Sequence, residues 1–232
     1  MKILTYFILA VLLLAGRPAQ AKDPGMPSGN IYVSAPQLPS TLKRVVVLPL
    51  TCNAISGDLY NGCQMLDPVL KAALIKTGKF EVVGITPNEL RNCTGQVSWM
   101  GDEVLPANFF SSLKNYDGCD GVMFCQLTTL RSNAPLAIGW RLKLVDATTG
   151  KILWSADEVF DASNREVAKD AEAFQRDQQP HHNVAYGAYA FVLWLIHVPA
   201  YTAMDDQWNI LHSTQYFGQY SVQKLAGTLP LR

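Results

Sequence analysis

The chain has 232 residues, 19 basic against 19 acidic side chains, and 49% hydrophobic residues. That length supplies one well-buried domain, or one domain with an appendage. No run of Lys and Arg occurs, and nucleic-acid binding rests on clustered basic residues that neutralise phosphates, so nucleic acid is excluded as a partner.

Residues 1–21 carry Lys2, an apolar run from Ile3 to Ala15, the breakers Gly16, Arg17 and Pro18, and Ala19-Gln20-Ala21. This is the charged, apolar and A-x-A order of a cleavable secretory signal. The apolar run is shorter than the ~20 residues a spanning helix needs. The expected mature chain starts at Lys22, and without Lys2 and Arg17 it holds 17 basic residues against 19 acidic ones. No cysteine follows the small residues of the leader, so its sequence offers no lipidation site.

Residues 22–42 are rich in Pro, Gly and Ser and lack periodicity, the pattern of a flexible leader. Val45-Val46-Val47-Leu48-Pro49-Leu50 is a continuous apolar run, the pattern of a strand buried on both faces. After a polar loop from Thr51 to Gly62, Asp67-Pro68 reads as a helix start. Leu66, Val69, Leu70, Ala73 and Leu74 keep helical spacing up to Gly78. Phe80 to Ile85 is a second strand. Thr86 and Glu89 form a capping box for a short helix ending near Cys93, and Pro106 opens another with Phe109, Phe110 and Leu113.

Gly121 to Leu130 is a third strand. Ile138, Trp140, Leu142 and Leu144 alternate with Gly139, Arg141 and Lys143, and Lys151 to Phe160 returns after Asp146-Ala147-Thr148-Thr149-Gly150, which predicts a hairpin. The fold class is therefore α/β (mixed α+β), an open mixed sheet of about five strands over residues 43–160, in β-α-β-α-α-β-β-β order. Residues 161–232 form a helical extension. Ser163 and Glu166 open a polar helix over 164–179, 184–201 is almost wholly apolar, and the last helix returns to cover the sheet.

The five cysteines Cys52, Cys63, Cys93, Cys119 and Cys125 contain no C-x-x-C spacing. In an exported chain they read as two disulfides drawn from Cys52, Cys63, Cys93 and Cys119, with Cys125 a buried thiol. The connectivity stays open.

Arg44 to Leu50, the helix through Leu74 and Gly78-Lys79-Phe80-Glu81-Val82-Val83 resemble the curli-secretion lipoprotein (CsgG-like) family and the related amino-terminal domain of TolB. Tyr116-Asp117-Gly118-Cys119-Asp120-Gly121-Val122 and Leu144 to Ile152 are similar to that family's entry to the next strand and its following hairpin. The resemblance implies an α/β domain without catalytic residues that acts by binding protein in envelope assembly or secretion. The family's lipidated cysteine is absent, and the consecutive apolar positions of 184–201 do not fit a β-barrel hairpin.

No nucleophile elbow or phosphate loop occurs, and no cofactor or metal is implied. The expected partners are envelope proteins, a second copy of the chain and a membrane surface. Tyr186, Tyr189, Phe191, Trp194 and Leu195 are the expected docking element, because an all-round apolar segment demands burial. Trp140, Arg141, Lys143 and Trp154 are the expected binding surface of the sheet. The rival reading is a secreted hydrolase using a carboxylate pair (Asp102-Glu103, Asp157-Glu158 or Asp205-Asp206) or a metal at His181 with His182 and Asp177. His197 and His212 complete the histidines. The expected location is the periplasm or the periplasmic face of the outer membrane.

Overall fold

The computed structural model describes residues 30–178 and 209–232. The expected leader peptide and the docking residues Tyr186, Tyr189, Phe191, Trp194 and Leu195 lie outside the described residues, as do His181, His182, His197, Asp205 and Asp206.

The strands are β1 (Asn30–Val33), β2 (Arg44–Val47), β3 (Glu81–Gly84), β4 (Gly121–Arg131), β5 (Ala137–Asp146) and β6 (Ile152–Asp161). The helices are α1 (Asp58–Lys76), α2 (Pro87–Thr94), α3 (Phe109–Asp117), α4 (Arg165–Gln178) and α5 (Thr214–Gly227). They build an α/β fold on one six-stranded mixed sheet of order β1-β6-β5-β4-β2-β3. β2 runs parallel to β3 and β4, whereas β4, β5, β6 and β1 pair antiparallel in turn.

The apolar run of β2 is buried on both faces, and its alternate residues feed two cores. Val45 and Val47 face Leu66, Leu70 and Leu74 of α1 and Phe217, Tyr220 and Leu225 of α5. Val46 and Leu48 face Leu90 of α2 and Phe109 and Leu113 of α3. Crossover helices on opposite faces are what a parallel triplet of strands requires. On the second face Phe109 stacks on Phe124 at 5.8 Å between ring centroids and meets Trp99 edge-on at 5.4 Å.

The predicted hairpin forms with Arg141↔Asp157 and Leu144↔Trp154 in register. Its turn is held by Asp146 Oδ1, which accepts from the N–H of Thr148 and of Thr149 at 2.8 Å. Gly150 closes it at φ 69°, a left-handed conformation that glycine adopts without a Cβ penalty. The capping box also forms: Thr86 Oγ1 accepts from Glu89 N–H, and Glu89 Oε2 accepts from Thr86 N–H at 2.8 Å.

Three expectations are corrected. The sheet has six strands because residues 30–33, expected in the flexible leader, pair with β6, and Leu38 and Leu42 beyond them are buried. The first helix begins at Asp58, so Pro68 lies inside it. Asp67 is no cap there, because its Oδ1 accepts the Leu50 N–H at 2.9 Å and its Oδ2 pairs with Lys71 Nζ at 2.7 Å. The carbonyl deprived of a partner by Pro68 belongs to Gln64, which is exposed and open to solvent. At the start of α4, Asn164 Oδ1 rather than Ser163 accepts the Glu166 N–H, at 2.9 Å.

Helix α5 packs on α1 and the sheet, as a sheet with one uncovered face demands. Two indole N–H groups fix it: Trp140 Nε1 donates to Ser221 Oγ at 2.8 Å, and Trp154 Nε1 donates to Thr228 Oγ1 at 3.0 Å.

Candidate functional site

Beyond Val47 the β2 chain keeps bonding to β4: Leu48 N–H donates to Met123 O, Thr51 N–H to Cys125 O, and Leu127 N–H to Thr51 O. It then leaves the sheet and turns back into α1. The chain after β2 travels to the β3 side, while the chain after β4 travels to the β5 side. In open sheets this reversal opens a crevice at the carboxyl ends of the parallel strands.

A cleft of about 880 Å³ occupies that place. Its walls are the β2–α1 loop with Ile55, the first turns of α1 with Tyr60 and Cys63, the α2 start at Thr86, and the 95–108 loop with Val97 and Met100. Ile55 is 95% exposed on this rim and Tyr60 is 40% exposed. Asp67 and Lys71 supply the charges of the lining and neutralise one another. The size suits a drug-sized ligand or a peptide side-chain cluster.

The 95–108 loop is tied down by a buried polar hub. Gln126 Nε2 donates to Asn53 Oδ1 at 3.3 Å and to Met100 Sδ at 3.6 Å, and Gln126 Oε1 accepts from Arg141 Nη1 at 3.5 Å. Lys143 Nζ donates to Gly101 O. Arg141 also pairs with Asp157 at 2.7 Å and reaches Asp102 at 3.9 Å. Gln126 is 3% exposed. A buried amide with all its partners rigidifies what it joins.

The four expected sheet residues are split between faces. Trp140 and Trp154 are fully buried under α5, whereas Arg141 and Lys143 point to the other face. Alternation along a strand makes one shared surface impossible. Asp157 and Glu158 diverge in the same way: Asp157 pairs with Arg141, and Glu158 is buried with Oε1 lacking a partner. Asp102 and Glu103 stand on the 95–108 loop, and His212 precedes α5.

All five cysteines hold free thiols, so the two expected disulfides are not formed in this structure. Cys93 Sγ donates back into its own helix, to Glu89 O at 2.9 Å. Cys119 is buried, and burial pushes its thiol up to about 11. Burial likewise drives the Cys125 thiol far up. Cys52 and Cys63, both lining the cleft, are in side-chain contact. Among the described residues no three His, Cys, Asp or Glu side chains converge as a metal cluster. No described helix is long and apolar enough to cross a membrane.

The cleft itself was not anticipated from the sequence. Its walls come from four separate segments, and the one signal for it is the topological reversal around β2.

No family model matches the chain, and no curated protein matches it. Among solved structures it is similar to the PelC dodecamer from Paraburkholderia phytofirmans, at 12% identity over 61% of this chain and 89% of that one, TM-score 0.39. It is also similar to lipoprotein GNA1162 from Neisseria meningitidis, at 16% identity over 66% of this chain and 96% of that one, TM-score 0.36. A third is the LpoB C-terminal domain from Salmonella enterica, at 18% identity over 51% of this chain and 82% of that one, TM-score 0.34.

Proposed function

We propose that the chain is an exported, non-enzymatic accessory protein of the cell envelope that binds another envelope protein through the cleft at the β2–α1 loop. The observation that carries the reading is the rim of that cleft. Ile55 stands there 95% exposed beside Tyr60, over an apolar lining whose one charge pair, Asp67–Lys71, is internally neutralised. Apolar side chains held out at the mouth of a preformed cavity gain most when a partner covers them. The leader pattern of residues 1–21 supports export.

The hydrolase reading loses support from the same residues. Asp157 is engaged by Arg141 on one face while Glu158 is buried on the other, so they do not flank a common substrate position. The participation of the 184–201 segment as a second docking element, and self-association through it, belong to this proposal and rest on its apolar sequence.

Site-specific photocross-linking in intact cells tests the proposal. A cross-linking residue at Ile55 is expected to give a discrete adduct with an envelope protein. The same residue at Ile75, 60% exposed near the opposite end of α1, is expected to give none. No adduct at Ile55, or equal adducts at both positions, contradicts a cleft-directed partner.

A further inference from the structure

We propose that Cys52 and Cys63 form a redox pair that closes a disulfide across the β2–α1 loop and thereby fixes the Ile55-bearing wall of the cleft. The two thiols are already in side-chain contact. Each is carried by a part of the fold that the sheet holds in place. Cys52 follows Thr51, whose N–H and Oγ1 both donate to Cys125 O and whose carbonyl accepts from Leu127 N–H. Cys63 sits on α1 beside Gly62, where the helix approaches β4 so closely that a Cβ would lie 2.2 Å from Leu130 Cδ2. Residues 53–62 span the gap between these two anchored points and include Ile55 and Tyr60.

The exposures assign the order of events. Cys52 is half-buried and accessible from the cleft, whereas Cys63 is 5% exposed. Cys52 is therefore the thiol that meets an incoming oxidant, a disulfide-bearing protein or small molecule. The Cys52 thiolate attacks one sulfur of that disulfide, forming a mixed disulfide and releasing the first oxidant thiol. Cys63 then attacks the Cys52 sulfur, losing its proton, and the second oxidant thiol leaves. Two cysteine thiols are oxidised to one disulfide, and the oxidant disulfide is reduced to two thiols.

Burial, then the adjacent Cys52 and Asp67 side chains, push the Cys63 thiol well above its ordinary range. Conversion of Cys52 to a mixed disulfide removes the Cys52 contribution at the step where Cys63 must ionise. The other thiols lack this arrangement: Cys93 bonds its own helix, and Cys119 and Cys125 are buried in strands or strand ends.

The proposal is independent of what fills the cleft and is tested on the purified full chain. The chain is equilibrated with a mixture of oxidised and reduced glutathione, trapped with an alkylating reagent, digested without reduction and mapped by mass spectrometry. A peptide pair linked through Cys52 and Cys63 is expected, with the half-buried Cys93 alkylated and unlinked and the buried Cys119 and Cys125 alkylated only after unfolding. The oxidised chain is expected to melt several degrees above the reduced one, a difference absent from Cys52→Ser and Cys63→Ser and retained in Cys93→Ser. Cys52→Ser replaces the accessible partner and keeps the experiment decisive where Cys63→Ser disturbs the core. Both thiols free at equilibrium, Cys63 linked to Cys125, or Cys52 linked only to glutathione or to a second chain, each overturn the proposal.

Discussion

Trp140 Nε1 donates a 2.8 Å hydrogen bond to Ser221 Oγ, joining the central strand β5 to helix α5 across 81 residues of sequence. Both side chains have no exposed surface. Ser221 Oγ in turn donates to Gly218 O at 3.0 Å, so the hydroxyl relays the indole to the helix backbone. Ser221→Ala leaves the indole N–H buried without an acceptor, a cost of about 1 to 3 kcal/mol. Urea unfolding is expected to show that loss with an unchanged slope. A loss confined to a few tenths would mean that the indole finds another acceptor.

Two glycines of α5 are expected to respond with opposite sign. A Cβ at Gly218 would lie 2.4 Å from Leu66 Cδ2, and Leu66 is itself fully buried between the helix and the sheet. At Gly227 a Cβ meets nothing within 4 Å. Gly218→Ala is expected to destabilise by about 1 kcal/mol or more, since overpacking outweighs the helix-propensity gain. Gly227→Ala is expected to stabilise by about 0.5 to 1 kcal/mol. Paired melting curves of the two variants check both signs.

Much of this architecture was legible in the sequence. The Val45–Val47 run, the Thr86–Glu89 box and the alternation of Trp140 to Leu144 each carry a local physical signal that the folded chain retains. β1 was missed because Asn30–Val33 is only four residues among Pro and Gly, and an edge strand that short acquires its conformation from its partner β6. The start of α1 was displaced because Asp67-Pro68 imitates a cap, whereas the Asp67 carboxylate serves the Leu50 N–H across space. The expected sheet surface treated Trp140 and Arg141 as one patch, although strand alternation sends one to the core and the other to the 95–108 loop. The cleft had no local signature at all, because it is made by topology.

Glu158 makes stability depend on pH. Burial holds its carboxyl above the ordinary glutamate range, opposed by the Asn30 backbone N–H and reinforced by Asp157. The folded state therefore binds that proton more tightly than the unfolded chain does. The associated stability is complete below pH 4.5 and is lost as pH rises toward the folded pKa, after which it stays lost. Glu158→Gln removes the ionisation. It is expected to melt with wild type near pH 4 and above it at pH 7. Thermal unfolding across that range checks it, and a variant less stable than wild type at pH 7 would show the carboxylate to be favourably held.

The central claim is that this chain works outside the cytoplasm as an envelope binding protein. Fractionation of cells expressing the full chain, with an alkaline carbonate wash of the membranes and an intact mass of the recovered protein, tests it most directly. The account predicts recovery in the periplasmic or envelope fraction with the mass of a chain beginning at Lys22. A cytosolic protein retaining residues 1–21 would contradict it.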